Sequence, residues 1–143
     1  MGSRQRLKYG PLGNTVNLAS RVQGATKYLR STVLITGETH KRVGSEFLTR
    51  RVCHVKVNNI EEPVELFELV APGREGWDSL KESYERALAH FYERSFRKAS
   101  SILGNVLVEH PNDGPSLVLM SRAVDSMLSD GDSFNSVWTL PGK

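Results

Sequence analysis

Cysteine occurs once in this chain of 143 residues, at Cys53, so neither an intrachain disulfide nor a cysteine-based zinc site can form. No aspartate precedes Asp78. Acidic residues are scarce throughout the first third: residues 1–51 hold only Glu38 and Glu46 against ten Lys and Arg. No apolar run approaches the ~20 residues that span a bilayer, and the opening Met1-Gly2-Ser3-Arg4-Gln5-Arg6 lacks the apolar core of a signal peptide. His40, His54, His90 and His110 lie far apart, without metal-ligand spacing. These absences point to a reducing, cytoplasmic setting with no membrane segment in the chain.

What is present supports a packed core, with 38% hydrophobic and 24% charged residues. Charge is unevenly spread. The basic first third suits an anion or an acidic surface, whereas residues 52–143 carry nine basic and fourteen acidic side chains. No interleaved aromatic pattern or nucleic-acid module accompanies the basic residues, so no nucleic-acid partner is expected. Cys53 sits in an alternating stretch and reads as an inert strand residue.

Periodicity divides the chain in two. Residues 6–9 alternate briefly, as at a strand end, and Gly10-Pro11-Leu12-Gly13-Asn14 is turn chemistry. A helix is predicted over 14–27, with Asn17 and Arg21 one turn apart and off its apolar face. A short strand over 31–36 follows, then a helix from Gly37 to about Val43 with Thr36 as N-cap. Strands over 48–57 and 63–70 form a hairpin through 58–62, with Val64, Leu66 and Glu68 on one face of the second. Residues 72–77 read as a linker between 1–71 and a helical segment, 78–129. Helices are predicted from an Asp78 or Ser79 cap to about Arg94, over 95–109, and over 115–128 with Pro115 in the first turn. Residues 130–143 read as a tail with one apolar patch, Val137 to Leu140. Tyr84, Ala87, Phe96, Ala99 and Pro111 resemble one tetratricopeptide-like hairpin, too little for a free-standing solenoid.

The most specific stretch is Tyr9-Gly10-Pro11-Leu12-Gly13-Asn14-Thr15-Val16-Asn17-Leu18-Ala19-Ser20-Arg21. With the Val33-Leu34-Ile35-Thr36 strand, the Glu38-Thr39 helix and the terminal Glu62-Pro63-Val64-Glu65-Leu66-Phe67-Glu68-Leu69 run, it resembles the C-terminal half of the class III adenylate/guanylate cyclase catalytic domain. The resemblance covers residues 2–70. It implies an α+β fold: part of a ferredoxin-like sheet with helices on one face, followed by a helical hairpin and a third helix. It also implies a phosphorus–oxygen lyase of intracellular signal transduction. In that reaction the ribose 3′-hydroxyl of ATP or GTP attacks the α-phosphorus and pyrophosphate leaves. By resemblance Asn17 orients the ribose, Arg21 stabilises the five-coordinate α-phosphoryl group, and Lys56 contacts the terminal phosphates. Two departures stand out. Val57 follows Lys56 where the family usually has glycine, and Gly10 has no side chain to read the purine.

The family's metal site, for Mg2+ or Mn2+, uses two aspartates, the first in a Phe-x-Asp-Ile-x-x-Phe segment that this sequence does not contain. The resemblance therefore implies a second cyclase subunit, packed head to tail, that brings the aspartates to Asn17 and Arg21; the chain alone is expected to be inactive. Met1 reads as an internal start or a truncation point. The end of the helical segment, Phe134-Asn135-Ser136-Val137-Trp138, resembles the tails of membrane-anchored bacterial cyclases. A different class of reading treats 78–129 as a non-catalytic interaction or regulatory module beside a vestigial cyclase half. With strands missing upstream, one sheet edge is expected to be exposed unless the helices cover it.

Overall fold

The computed structural model describes residues 22–56, 62–129 and 134–139. Among them, four strands form one sheet and five helices surround it. In chain order these are the helical residues 22–29 (α1), β1 (Leu34–Thr36), α2 (Gly37–His40), β2 (Leu48–Lys56), β3 (Val64–Val70), α3 (Trp77–Tyr92), α4 (Phe96–Glu109), α5 (Gly114–Leu128) and β4 (Trp138–Thr139). The sheet order is β1-β3-β2-β4. The fold is α+β.

β3 lies between β1 and β2 and is antiparallel to both, with Leu66 opposite Thr36 on one side and Cys53 on the other. A bulge at Val52 shifts the β2 register between Arg51 and Cys53. Alternation then sends Leu34, Cys53, Val55 and Leu66 to one face, where they form a core with Val22, Ala25 and Leu29 of α1. Val118 of α5 and Trp138 of β4 pack against the same core. On the opposite face Phe67 is covered by α2, whose His40 ring stacks on it at 3.9 Å.

Local chemistry sets most element ends. α1 runs two residues past the expected end because Arg30 adopts a left-handed conformation (φ 55°) only there. The Ser31 amide then bonds back to the Thr26 carbonyl at 3.1 Å, which delays β1 to Leu34. Thr36 caps α2 as expected, accepting from the Thr39 amide at 3.2 Å, but the helix stops at His40 rather than Val43. α3 starts at Trp77, ahead of the expected Asp78 or Ser79 cap. Its N-cap is Gly76, in the left-handed region at φ 73° and without a side-chain bond. Trp77 is buried with Leu80 and Val106 against Leu48 and Val70, so packing rather than a polar cap places this end. α3 ends two residues early, as Arg94 turns the chain with φ 66°. Asp113 caps α5 by accepting from the Ser116 amide, with Pro115 in the first turn.

The helical segment is not a free appendage. α3 lies along the β2 edge that β3 does not use. Glu85 accepts from the Arg51 amide and the Tyr84 hydroxyl donates to the Val52 carbonyl, both at 2.8 Å. These side chains supply the partners that a neighbouring strand would have given at the bulge. Farther along the same edge β4 pairs in parallel with β2, Val55 opposite Trp138 and Lys56 opposite Thr139. Part of the segment expected to be a tail is thus the fourth strand.

α5 approaches the end of α1 closely at Gly114. A Cβ added at Gly114 would stand 2.6 Å from Arg30 Cβ and 2.8 Å from its carbonyl carbon, and closer still to its carbonyl oxygen. Backbone cannot yield as a flexible side chain would. Gly114→Ala is therefore expected to lower stability by about 1–3 kcal/mol, read as a lower urea midpoint. An unchanged midpoint would show that α5 and Arg30 separate freely.

Candidate functional site

Of the residues that the sequence assigns to chemistry, Asn17, Arg21 and Gly10 lie outside the described residues, as does the strand end at 6–9. Lys56 is described. It is the last residue of β2 and is exposed. Its neighbour Val55 is fully buried in the core, which fixes the strand and sends the Lys56 side chain to the opposite face. That face also carries Arg51, His54 and Glu65. Arg51 pairs with Glu65, and His54 Nε2 lies 3.8 Å from the same carboxylate. The end of β2 is therefore a polar surface mounted on a rigid apolar base.

A second polar cluster, which sequence reasoning did not find, is buried between sheet and helices. Arg50 is fully enclosed. Its Nε and one terminal nitrogen donate to Glu68 of β3, and both terminal nitrogens donate to the two oxygens of Asp113, each at 2.9 Å. Ser31 donates to the second Glu68 oxygen at 2.7 Å and the Ser116 hydroxyl to Asp113 at 2.6 Å. The guanidinium also lies over the rings of Trp77 and Tyr84, at 5.2 and 4.8 Å. Every charge has a partner and none faces solvent, so the cluster clamps α5 to the sheet rather than performing chemistry. A signal was available: Glu68 shares a face with Leu66, and a carboxylate on a core face requires a buried cation.

Burial alone would raise the Asp113 pKa, but hydrogen bonds and charge from Arg50, with bonds from Ser116, hold it below the ordinary 3.8. A depressed native pKa stabilises the fold above the unfolded value, and that contribution is lost as pH falls through the native value. The stability gap between the wild type and Asp113→Asn is thus expected to be level from pH 5 to 8 and to narrow below about pH 4. Denaturant titrations across that range measure it; a gap that widened in acid would contradict the pairing.

Burial pushes the Cys53 thiol up to about 12, so it stays protonated at neutral pH, in keeping with an inert strand residue. Among the described residues no group of three or more His, Cys, Asp or Glu could hold a metal ion. No helix of the described residues is long and apolar enough to cross a membrane.

The chain matches no protein-family model and no solved structure. It is similar to the adenylate cyclase, terminal-differentiation specific, of Dictyostelium discoideum, at 29% identity over 134 residues. The alignment takes in 89% of this chain and 6% of that much longer protein. Residues 1–71 are only half of the chain, so the similarity extends well into the helical segment that packs on the sheet. A distant relationship to an adenylate cyclase therefore covers both parts of the fold.

Proposed function

We propose that this chain is the part of an adenylate-type cyclase that grips the ribose and the phosphates of the nucleotide. The observation that carries the reading is the run Gly13-Asn14-Thr15-Val16-Asn17-Leu18-Ala19-Ser20-Arg21. The relationship to an adenylate cyclase over most of the chain supports it and favours ATP over GTP.

In this reading the Asn17 amide, both donor and acceptor, holds the ribose so that its 3′-oxygen faces the α-phosphorus. As that oxygen bonds to phosphorus and the bond to the β-phosphate breaks, negative charge grows on the α-phosphoryl oxygens. Arg21 lies four residues on and meets that charge with a guanidinium that cannot lose its proton. Lys56 holds the terminal phosphates, which leave as pyrophosphate. No aspartate precedes Asp78 in this sequence, and in this reading a second cyclase subunit brings the metal-binding aspartates to Asn17 and Arg21. The charge of the sequence fits the role, since its first third is basic and an ATP tail is strongly anionic.

Complementation tests the reading. The chain is mixed with a cyclase polypeptide that retains its metal-binding aspartates but has lost its own Asn and Arg, and cyclic AMP is measured. Within that assembly Lys56→Ala is expected to raise KM for ATP about tenfold while changing kcat little, because a contact to the terminal phosphates is made before the chemistry. An unchanged KM would remove Lys56 from the phosphate site.

A further inference from the structure

A groove of about 380 Å³ opens between the end of α3, the last turns of α5 and the segment leading to β4. Arg122 of α5 lines it. The guanidinium is held between two aromatic rings, 4.9 Å from the centre of Phe91 and 5.2 Å from that of Trp138. Stacking engages the faces of a guanidinium and leaves the N–H donors around its rim unused. One of them reaches the Ser136 carbonyl, at a long 3.5 Å. Among the described residues no carboxylate comes within ion-pair distance of Arg122. Burial consequently pulls its pKa below the usual arginine value. A desolvated cation without a counter-ion is costly, in contrast to Arg50, where two carboxylates answer one guanidinium.

Asp125, one turn further along α5, lines the same groove, and it too has no ion pair. Opposite charges thus face one cavity without meeting each other. Phe134 and Trp138 supply an apolar wall, and Ser126 and Asn135 add neutral hydrogen-bonding groups. A lone anion would match Arg122 but would be repelled by Asp125. A molecule carrying both charges on adjacent atoms, beside an apolar group, answers every feature of the groove.

We propose that this groove binds a small zwitterion of the α-amino-acid class, its carboxylate on Arg122, its ammonium toward Asp125 and its apolar side chain against Phe134 and Trp138. The site is independent of the nucleotide reading, and its test needs no cyclase activity. The intact chain, labelled with 15N, is titrated with L-phenylalanine, with 3-phenylpropionate, which lacks the ammonium, and with phenethylamine, which lacks the carboxylate. L-phenylalanine is expected to give saturable shifts of the Arg122 side-chain and Trp138 indole signals. Each single-charge analogue should bind at least about tenfold more weakly. Arg122→Gln should abolish binding of the amino acid. Asp125→Asn alters an exposed side chain that supports no packing. It should bring L-phenylalanine and 3-phenylpropionate to similar affinity, weakening the amino acid and strengthening the anionic analogue, which keeps the test sound if Arg122→Gln fails to fold. Two results would overturn the proposal: no saturable shift with L-phenylalanine up to about 20 mM, or equal binding of L-phenylalanine and 3-phenylpropionate.

Discussion

Arg50→Ala is expected to cost about 3–5 kcal/mol of stability, the largest loss from any single side chain in the described structure. The mechanism is not the disappearance of an attraction alone. Removing the guanidinium leaves Glu68 and Asp113 facing each other in the interior, both desolvated and without a cation. It also opens a void beside Trp77 and Tyr84, whose rings now pack on the guanidinium. Arg50→Lys is expected to fall between the two, because an ammonium keeps the charge but cannot span both carboxylates with a planar fork. Thermal and urea unfolding measure both variants. Since Arg50 lies on β2 and Asp113 caps α5, the loss should appear first as release of the helices from the sheet. Hydrogen exchange at α5 amides would report that release. A near-native midpoint for Arg50→Ala would mean that the helical segment docks without the clamp.

The second large effect concerns turnover rather than stability. In the complemented cyclase, Arg21→Ala is expected to lower kcat by about 10²–10³, the usual cost of deleting one donor aimed at transition-state charge. KM for ATP should move much less, since the charge on the α-phosphoryl oxygens grows only as the 3′-oxygen bonds to phosphorus. Folding should be unaffected, as the described core places its weight on Val22, Ala25 and Leu29. Arg21→Lys should recover only part of the loss, because an ammonium cannot donate to two phosphoryl oxygens in one plane. The ratio of kcat loss to KM change separates a transition-state role from simple attraction of an anionic substrate.

The elements that were legible in the sequence are those whose signals are local. The alternation of β3 is complete within seven residues, Val64 to Val70. Thr36 sits one residue before the helix it caps, and Pro115 falls in the first turn of α5. The features that were not legible depend on residues far apart in the chain. Arg50 and Asp113 are separated by 63 positions, and nothing near either announces the other. Trp138 and Thr139 make a strand only because β2 offers them an edge; two residues carry no period of their own. Gly114 reads as an ordinary turn glycine until Arg30 is seen against it. Trp77 likewise starts α3 because a pocket between Leu80 and Val106 receives it, and no cap residue marks that choice. The candidate site divides in the same way. Asn17 and Arg21 stand in one contiguous motif, whereas the groove at Arg122 is assembled from α3, α5 and the chain near β4 and has no linear signature.

The most direct test of the central claim is the rate of cyclic AMP formation when this chain is added to a cyclase polypeptide that keeps its metal-binding aspartates and lacks its own Asn and Arg. Neither polypeptide alone should form cyclic AMP at a measurable rate, and the mixture should. That activity should depend on both Asn17 and Arg21 of this chain. A mixture that stays inactive although the two polypeptides associate, or one that remains fully active with Asn17→Ala/Arg21→Ala, would contradict it.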